Sequence, residues 1–94
     1  MPNTKQAEKR VRRDAKRRVR NRYHLSKMRT YIRRLRDLVN ARKLEEAKSF
    51  LPEVISLIYH TASKGIIHKR EASRRASRAS LLLNKAIKSA ESQK

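Results

Sequence analysis

Residues 9–39 read KRVRRDAKRRVRNRYHLSKMRTYIRRLRDLV, and two patterns follow one another along them without a break. In residues 9–22, nine of fourteen positions are Lys or Arg and Asp14 is the only acid. On a helix that turns by about 100° per residue, Lys9, Arg10, Arg12, Arg13, Lys16, Arg17, Arg18, Arg20 and Arg22 point to every side. Val11, Ala15 and Val19 leave a thin apolar line, short of the face of at least ~100° that a packed helix buries. From Leu25 the pattern changes: Leu25, Met28, Ile32, Leu35 and Val39 recur at spacings of three and four, widened by Tyr31 and Leu38. That is the period of a helix with a core stripe. With no Gly or Pro between residues 3 and 51, the chain predicts one long first helix over about residues 9–39, packed in its C-terminal half and projecting in its N-terminal half.

Arg18, Arg22, Arg29, Arg33 and Arg36 fall opposite the core stripe, within a sector of about 60°, so a basic ridge is expected to run from the projecting arm onto the body. Upstream, residues 1–8 contain Pro2, Asn3 and Thr4 and suit a mobile tail or a helix start near Thr4 better than a strand. Downstream, residues 40–43 form the expected first turn, with Asn40 as its left-handed residue. Leu44, Ala47, Leu51, Val54 and Ile58 then restart the apolar rhythm and predict a second helix over residues 44–63. Glu45 and Glu46 in its first turn suit the helix dipole. Pro52 inside it favours a kink over a fresh start at Ser49. The sole glycine, Gly65, is the expected left-handed stop. A third helix over residues 68–91 carries Ala72, Ala76, Ala79, Leu83, Ala86 and Ala90 on one side. Arg70, Arg74, Ser77, Arg78, Lys85 and Lys88 occupy the other, interrupted by Leu81. The whole, residues 1–94, reads as one all-α domain, an antiparallel three-helix bundle with a long, overhanging basic N-terminal helix.

Charge narrows the function. A formal +19 on 11.1 kDa opposes compaction unless a polyanion supplies the counter-charge. Residues 1–36 carry +13, residues 37–59 carry −1 and residues 60–94 carry +7, so a near-neutral scaffold lies between two basic flanks. A membrane-active helix would need a broad apolar face on its cationic segment, and the arm has none. A DNA-compacting protein has similar charge but adds an apolar wedge, for which Leu81 is the one candidate. Three tyrosines are too few for a single-strand stacking platform, and Tyr31 and Tyr59 are expected at the edge of the core. Ser73, Ser77 and Ser80 lie among arginines, a pattern that fits hydrogen bonds to a phosphate backbone better than a phosphorylation site. Cysteine is absent, and His24, His60 and His68 are scattered, so no metal or other cofactor is expected. No phosphate-cradling glycine loop or catalytic elbow occurs, and neither an enzyme nor a small-molecule substrate is expected. No apolar leader or membrane span is visible, which predicts a cytoplasmic protein.

The basic first helix, the neutral middle helix, the string Lys64-Gly65-Ile66-Ile67-His68-Lys69 and the Ala/Ser/Arg-rich third helix resemble, over essentially the whole chain, the family of bacterial small-subunit ribosomal protein number twenty. The resemblance implies a three-helix protein that binds 16S ribosomal RNA early in small-subunit assembly and bridges RNA segments. It implies RNA contacts at Lys9, Arg10, Arg13, Arg17 and Arg20 on the arm, and at Lys64, His68, Lys69 and Arg74 around the second turn and third helix. The residue patterns themselves add Arg12, Lys16, Arg18, Arg22, Arg29, Arg33, Gly65, Arg70, Ser77 and Arg78 as candidates. The chain departs from the family at the first turn, where a glycine-containing sequence is usual and residues 40–43 read Asn-Ala-Arg-Lys.

Overall fold

A computed structural model of the chain describes residues 4–92. Three helices follow in order, α1 (Thr4–Asn40), α2 (Leu44–Ser63) and α3 (Lys69–Ser92), and no strand occurs among the described residues. The fold is all-α. α1 begins at Thr4 rather than at residue 9, because Lys5, Gln6, Ala7 and Glu8 are good helix formers with no breaker among them. Residues 1–3 of the expected tail lie outside the described residues. α2 runs unbroken through Pro52, which excludes a fresh start at Ser49. Pro52 is exposed, so the carbonyl that it leaves without an amide partner is on the solvent side.

α2 packs along both other helices, while α1 and α3 meet less extensively. The direction of each helix is fixed by contacts at the two ends of the bundle. At one end Lys64 reaches His24; at the other Val39 and Leu44 gather with Ala86 and Ala90. The core is the set of stripes laid against one another: Met28, Leu35 and Val39 from α1, Ala47, Val54 and Ile58 from α2, and Ala72, Ala79 and Leu83 from α3. Leu25, Ile32, Leu51 and Ala86, which belong to the same stripes, are half-buried around it. Tyr31 joins this edge, its ring 5.4 Å from that of Phe50. Tyr59 does not: it is 47% exposed, since its position next to Ile58 turns it by about 100° away from the buried stripe. Among the described residues the one buried polar side chain, Thr61, donates to the Leu57 carbonyl at 2.8 Å.

Both turns are built the same way. After α2, Gly65 takes φ +78°, its amide donates to Ala62 at 2.9 Å, and the Ile66 amide donates to Thr61 at 3.2 Å. This double closure is a Schellman stop. After α1 the Arg42 amide donates to Val39 at 3.0 Å and the Lys43 amide to Leu38 at 2.9 Å. The left-handed residue there is Arg42, at φ +61°, not Asn40. Asn40 stays helical because the Ala41 amide still reaches Asp37 at 2.9 Å, which moves the reversal two residues on. An L-residue with a Cβ in that conformation costs roughly 1–2 kcal/mol.

The shape is far from spherical. The molecule measures 74 × 22 × 15 Å with a radius of gyration of 18.7 Å, against about 12 Å for a compact chain of this length. Its accessible surface of 7796 Å² exceeds the roughly 5,700 Å² of a globular monomer of the same mass. The overhang of α1 produces both departures.

Candidate nucleic-acid interface

Every residue from 4 to 20 is exposed. The arm is a single helical rod about 25 Å long at 1.5 Å per residue, continuous with the part of α1 that enters the core. Val11 and Val19 are 67% and 72% exposed, so the thin apolar line buries nothing. The nine cations of residues 9–22 have no ion-pair partner among the described residues. Asp14 is too little to neutralise the three arginines one turn away, Arg10, Arg17 and Arg18. The rod therefore presents charge on all sides, its helix closed only by hydrogen bonds of its own backbone.

The basic ridge continues onto the body, where Arg29, Arg33 and Arg36 are all exposed. A second basic surface runs down α3: Arg70, Arg74, Ser77, Arg78, Lys85 and Lys88 are exposed on one side, with Leu81 among them at 53%. Arg75 is different. Its Nε donates to Glu71 Oε1 at 3.0 Å from a half-buried position, so its charge is already matched. The turn between α2 and α3 joins the two surfaces. Its Lys64, Gly65, His68 and Lys69 are exposed. A Cβ at Gly65 would meet nothing within 4 Å, so its conformation, not close packing, selects glycine there. His68 serves as the cap of α3: its ring Nδ1 accepts the Arg70 amide at 3.1 Å while its carbonyl accepts the Ala72 amide at 3.0 Å. A neutral ring that accepts at Nδ1 carries its proton on Nε2, which leaves that N–H free to donate to a ligand.

Where the arm leaves the bundle, the structure brings together residues that the sequence separates. Lys64 Nζ lies 3.2 Å from His24 Nε2, with Arg20 and Lys27 of α1 and His60 of α2 around them. The His24 imidazolium is disfavoured here and its pKa lies below the usual 6.5, first through partial loss of hydration, then through repulsion by Lys64, His60, Arg20 and Lys27. Of these, Arg20 and Lys64 were legible as candidates; His24, His60 and Lys27 were not. The available signal was positional: His24 and His60 sit at the ends of two apolar stripes that an antiparallel pairing brings side by side.

The opposite pole has the other sign. Asp37, Glu45, Glu46 and Glu53, half of the eight acids of the chain, line an open groove of about 770 Å³ with Leu38 and Phe50 between the end of α1 and the start of α2. Arg34 and Lys43 line the same groove and leave an excess of two acids there, which suits a polyanion less well than the arm does. Among the described residues no group of three or more His, Cys, Asp or Glu could hold a metal ion, and no helix is long and apolar enough to cross a membrane.

A short helical bundle with an exposed, unneutralised cationic overhang defines a class of protein: small basic α-helical proteins suited to lie against a polyanion. Within that class the chain belongs to the ribosomal protein S20 family, whose family model matches residues 2–88. It is 61% identical over 93 residues to small ribosomal subunit protein bS20 of Aquifex aeolicus (strain VF5), covering 99% of each chain. To the protein of the same name from Hydrogenobaculum sp. (strain Y04AAS1) it is 55% identical over 91 residues, covering 97% of this chain and 98% of the relative. To that of Persephonella marina (strain DSM 14350 / EX-H1) it is 46% identical over 78 residues, or 83% and 85% of the two chains.

Proposed function

We propose that this protein is a structural constituent of the small ribosomal subunit that binds 16S ribosomal RNA through its phosphate backbone and bridges RNA segments during assembly. One observation carries the reading: seventeen consecutive exposed residues, 4–20, extend the first helix beyond the bundle with their cations unpaired. Such an arm has no use in folding. An RNA duplex offers a deep, narrow major groove and a shallow minor groove, so a protein rich in arginine and poor in aromatics reads its shape and phosphate positions. The arm, through Lys9, Arg10, Arg12, Arg13, Lys16, Arg17, Arg18, Arg20 and Arg22, takes one RNA segment. Arg29 and Arg33 extend that contact along the body. Lys64, Gly65, His68, Lys69, Arg70, Arg74, Ser77 and Arg78 meet a second segment from the turn and α3. Fixed spacing between the two surfaces then selects RNA whose segments lie at that spacing.

The role is scaffolding in the cytoplasmic ribosome and requires no catalytic group, cofactor or small-molecule substrate. Competition between a 16S ribosomal RNA transcript and duplex DNA of equal length tests it. The RNA should win by orders of magnitude at moderate salt, because duplex DNA can satisfy the arm but not both surfaces at once. Equal competition would reduce the protein to a non-specific polycation and overturn the proposal.

A further inference from the structure

The junction between arm and bundle contains a contact that one proton would turn from attraction to repulsion. Lys64 Nζ, an ammonium that can only donate, stands 3.2 Å from His24 Nε2. The contact is a hydrogen bond only while His24 is neutral with its proton on Nδ1, so that Nε2 accepts. Protonation would place two N–H donors against each other. No carboxylate relieves them: the charged groups around His24 are Arg20 and Lys27 on its own helix, His60 on α2 and Lys64 on the turn. Glu53 lines a shallow hollow with Lys27, Tyr31 and His60 but is not among the groups that act on His24. α3 contributes no charged group to its surroundings. Four cationic or protonatable groups therefore converge on one half-buried imidazole.

We propose that this junction is a proton-coupled clamp for an RNA phosphodiester, in which a phosphate oxygen inserts between Lys64 Nζ and His24 Nε2 as His24 takes up one proton from solvent. The direct N–H···N contact opens into an N–H···O···H–N bridge. Lys64 keeps its proton and exchanges one acceptor for another; His24 gains the proton at Nε2 and donates it to the phosphate. The single negative charge of the phosphodiester offsets part of the repulsion that Lys64, His60, Arg20 and Lys27 exert on the imidazolium in the free protein. Charge-assisted hydrogen bonds of this kind are about twice as strong as neutral ones. The clamp joins position 24 of the arm-bearing helix to position 64 of the turn, so it fastens the two basic surfaces to one RNA strand where they meet. The inference rests on the RNA-binding reading above and deepens it.

Because binding takes up a proton, affinity rises as pH falls. In the window between the free and RNA-bound titration midpoints of His24, the association constant changes up to tenfold per pH unit, the limit for one linked proton. The test is binding of a 16S ribosomal RNA transcript at constant ionic strength from pH 6 to 8, for wild type, His24→Gln and His24→Arg, with helix content checked by circular dichroism at each pH. Wild type should bind more tightly at pH 6 than at pH 8, His24→Gln should lose that one-proton increment, and His24→Arg should bind at pH 8 as wild type does at pH 6. The His24 ring followed by NMR in the wild-type protein provides a readout independent of any variant: its midpoint should lie below 6.5 without RNA and move upward with RNA. An unchanged pH slope in His24→Gln, or a midpoint unmoved by RNA, overturns the clamp while RNA binding stands. A wild-type protein with no preference for 16S RNA over duplex DNA at any pH overturns the functional reading and the clamp with it.

Discussion

Deleting residues 1–20 should leave the bundle standing and remove most of its affinity for RNA. No residue from 4 to 20 is buried, and the buried core begins at Met28, so the deletion costs the fold no apolar burial. It removes nine cations and two acids and lowers the formal charge from +19 to +12, which relieves self-repulsion. The melting temperature should therefore stay within a few degrees of that of the full chain, a change below about 1 kcal/mol. Affinity behaves differently. If about half of the nine deleted cations contact phosphates, each releases about 0.9 counterion, and at ~0.15 M salt the loss is roughly three orders of magnitude. Circular dichroism melts and filter binding to 16S RNA on the same preparation measure both. Free of RNA, the arm gains no burial to offset its charge repulsion, or the backbone entropy of about 1–2 kcal/mol per residue, so its amides should exchange faster than those of the core. A truncated protein with intact affinity and a collapsed melting temperature would show that scaffold and binding element had been interchanged.

Leu35→Ala and Leu83→Ala remove side chains that are 0% and 2% exposed. Each should cost about 2–5 kcal/mol, a large share of the stability of so small a core, visible as a lowered midpoint in urea titrations. Ile32→Ala, at a half-buried position, should cost less than either. Arg42→Gly should raise stability by roughly 0.5–1 kcal/mol, because relief of the left-handed strain exceeds the entropy that glycine adds to the unfolded chain; a lower melting temperature would mean that the side chain of Arg42 holds the turn. Gly65→Ala should do the reverse, destabilising by about 1 kcal/mol through φ alone, since its Cβ would meet open space.

Most of the fold could be read from periodicity. The change at Leu25 from all-round charge to a three-four stripe marks where α1 enters the core, and the stop at Gly65 follows from the one residue without a Cβ. The first turn was less legible. Asn40 is the better left-handed residue by composition, but the hydrogen bonds that close α1 place the reversal at Arg42, and local preference gives way to the length of helix that packing demands. By residue type Tyr59 belongs at the core edge, whereas its angular position next to Ile58 turns it to solvent. The basic surfaces were visible as runs and faces, because exposure on a helix is set by spacing. The matched charge of Arg75 depends on a partner four residues away that the run of arginines hides. The cluster at His24 depends on a residue forty positions distant, and only the antiparallel pairing of α1 with α2 brings the two together.

The central claim is that affinity resides in phosphate contacts made by cations that have no partner in the free protein. The most direct measurement is the association constant for 16S ribosomal RNA from about 0.1 to 0.5 M salt at constant pH. With about eight phosphates neutralised, log K should fall linearly against log salt with a slope near −7, taking the duplex coefficient as a guide. A slope near zero would mean that binding rests on contacts other than phosphate, and the account would fail.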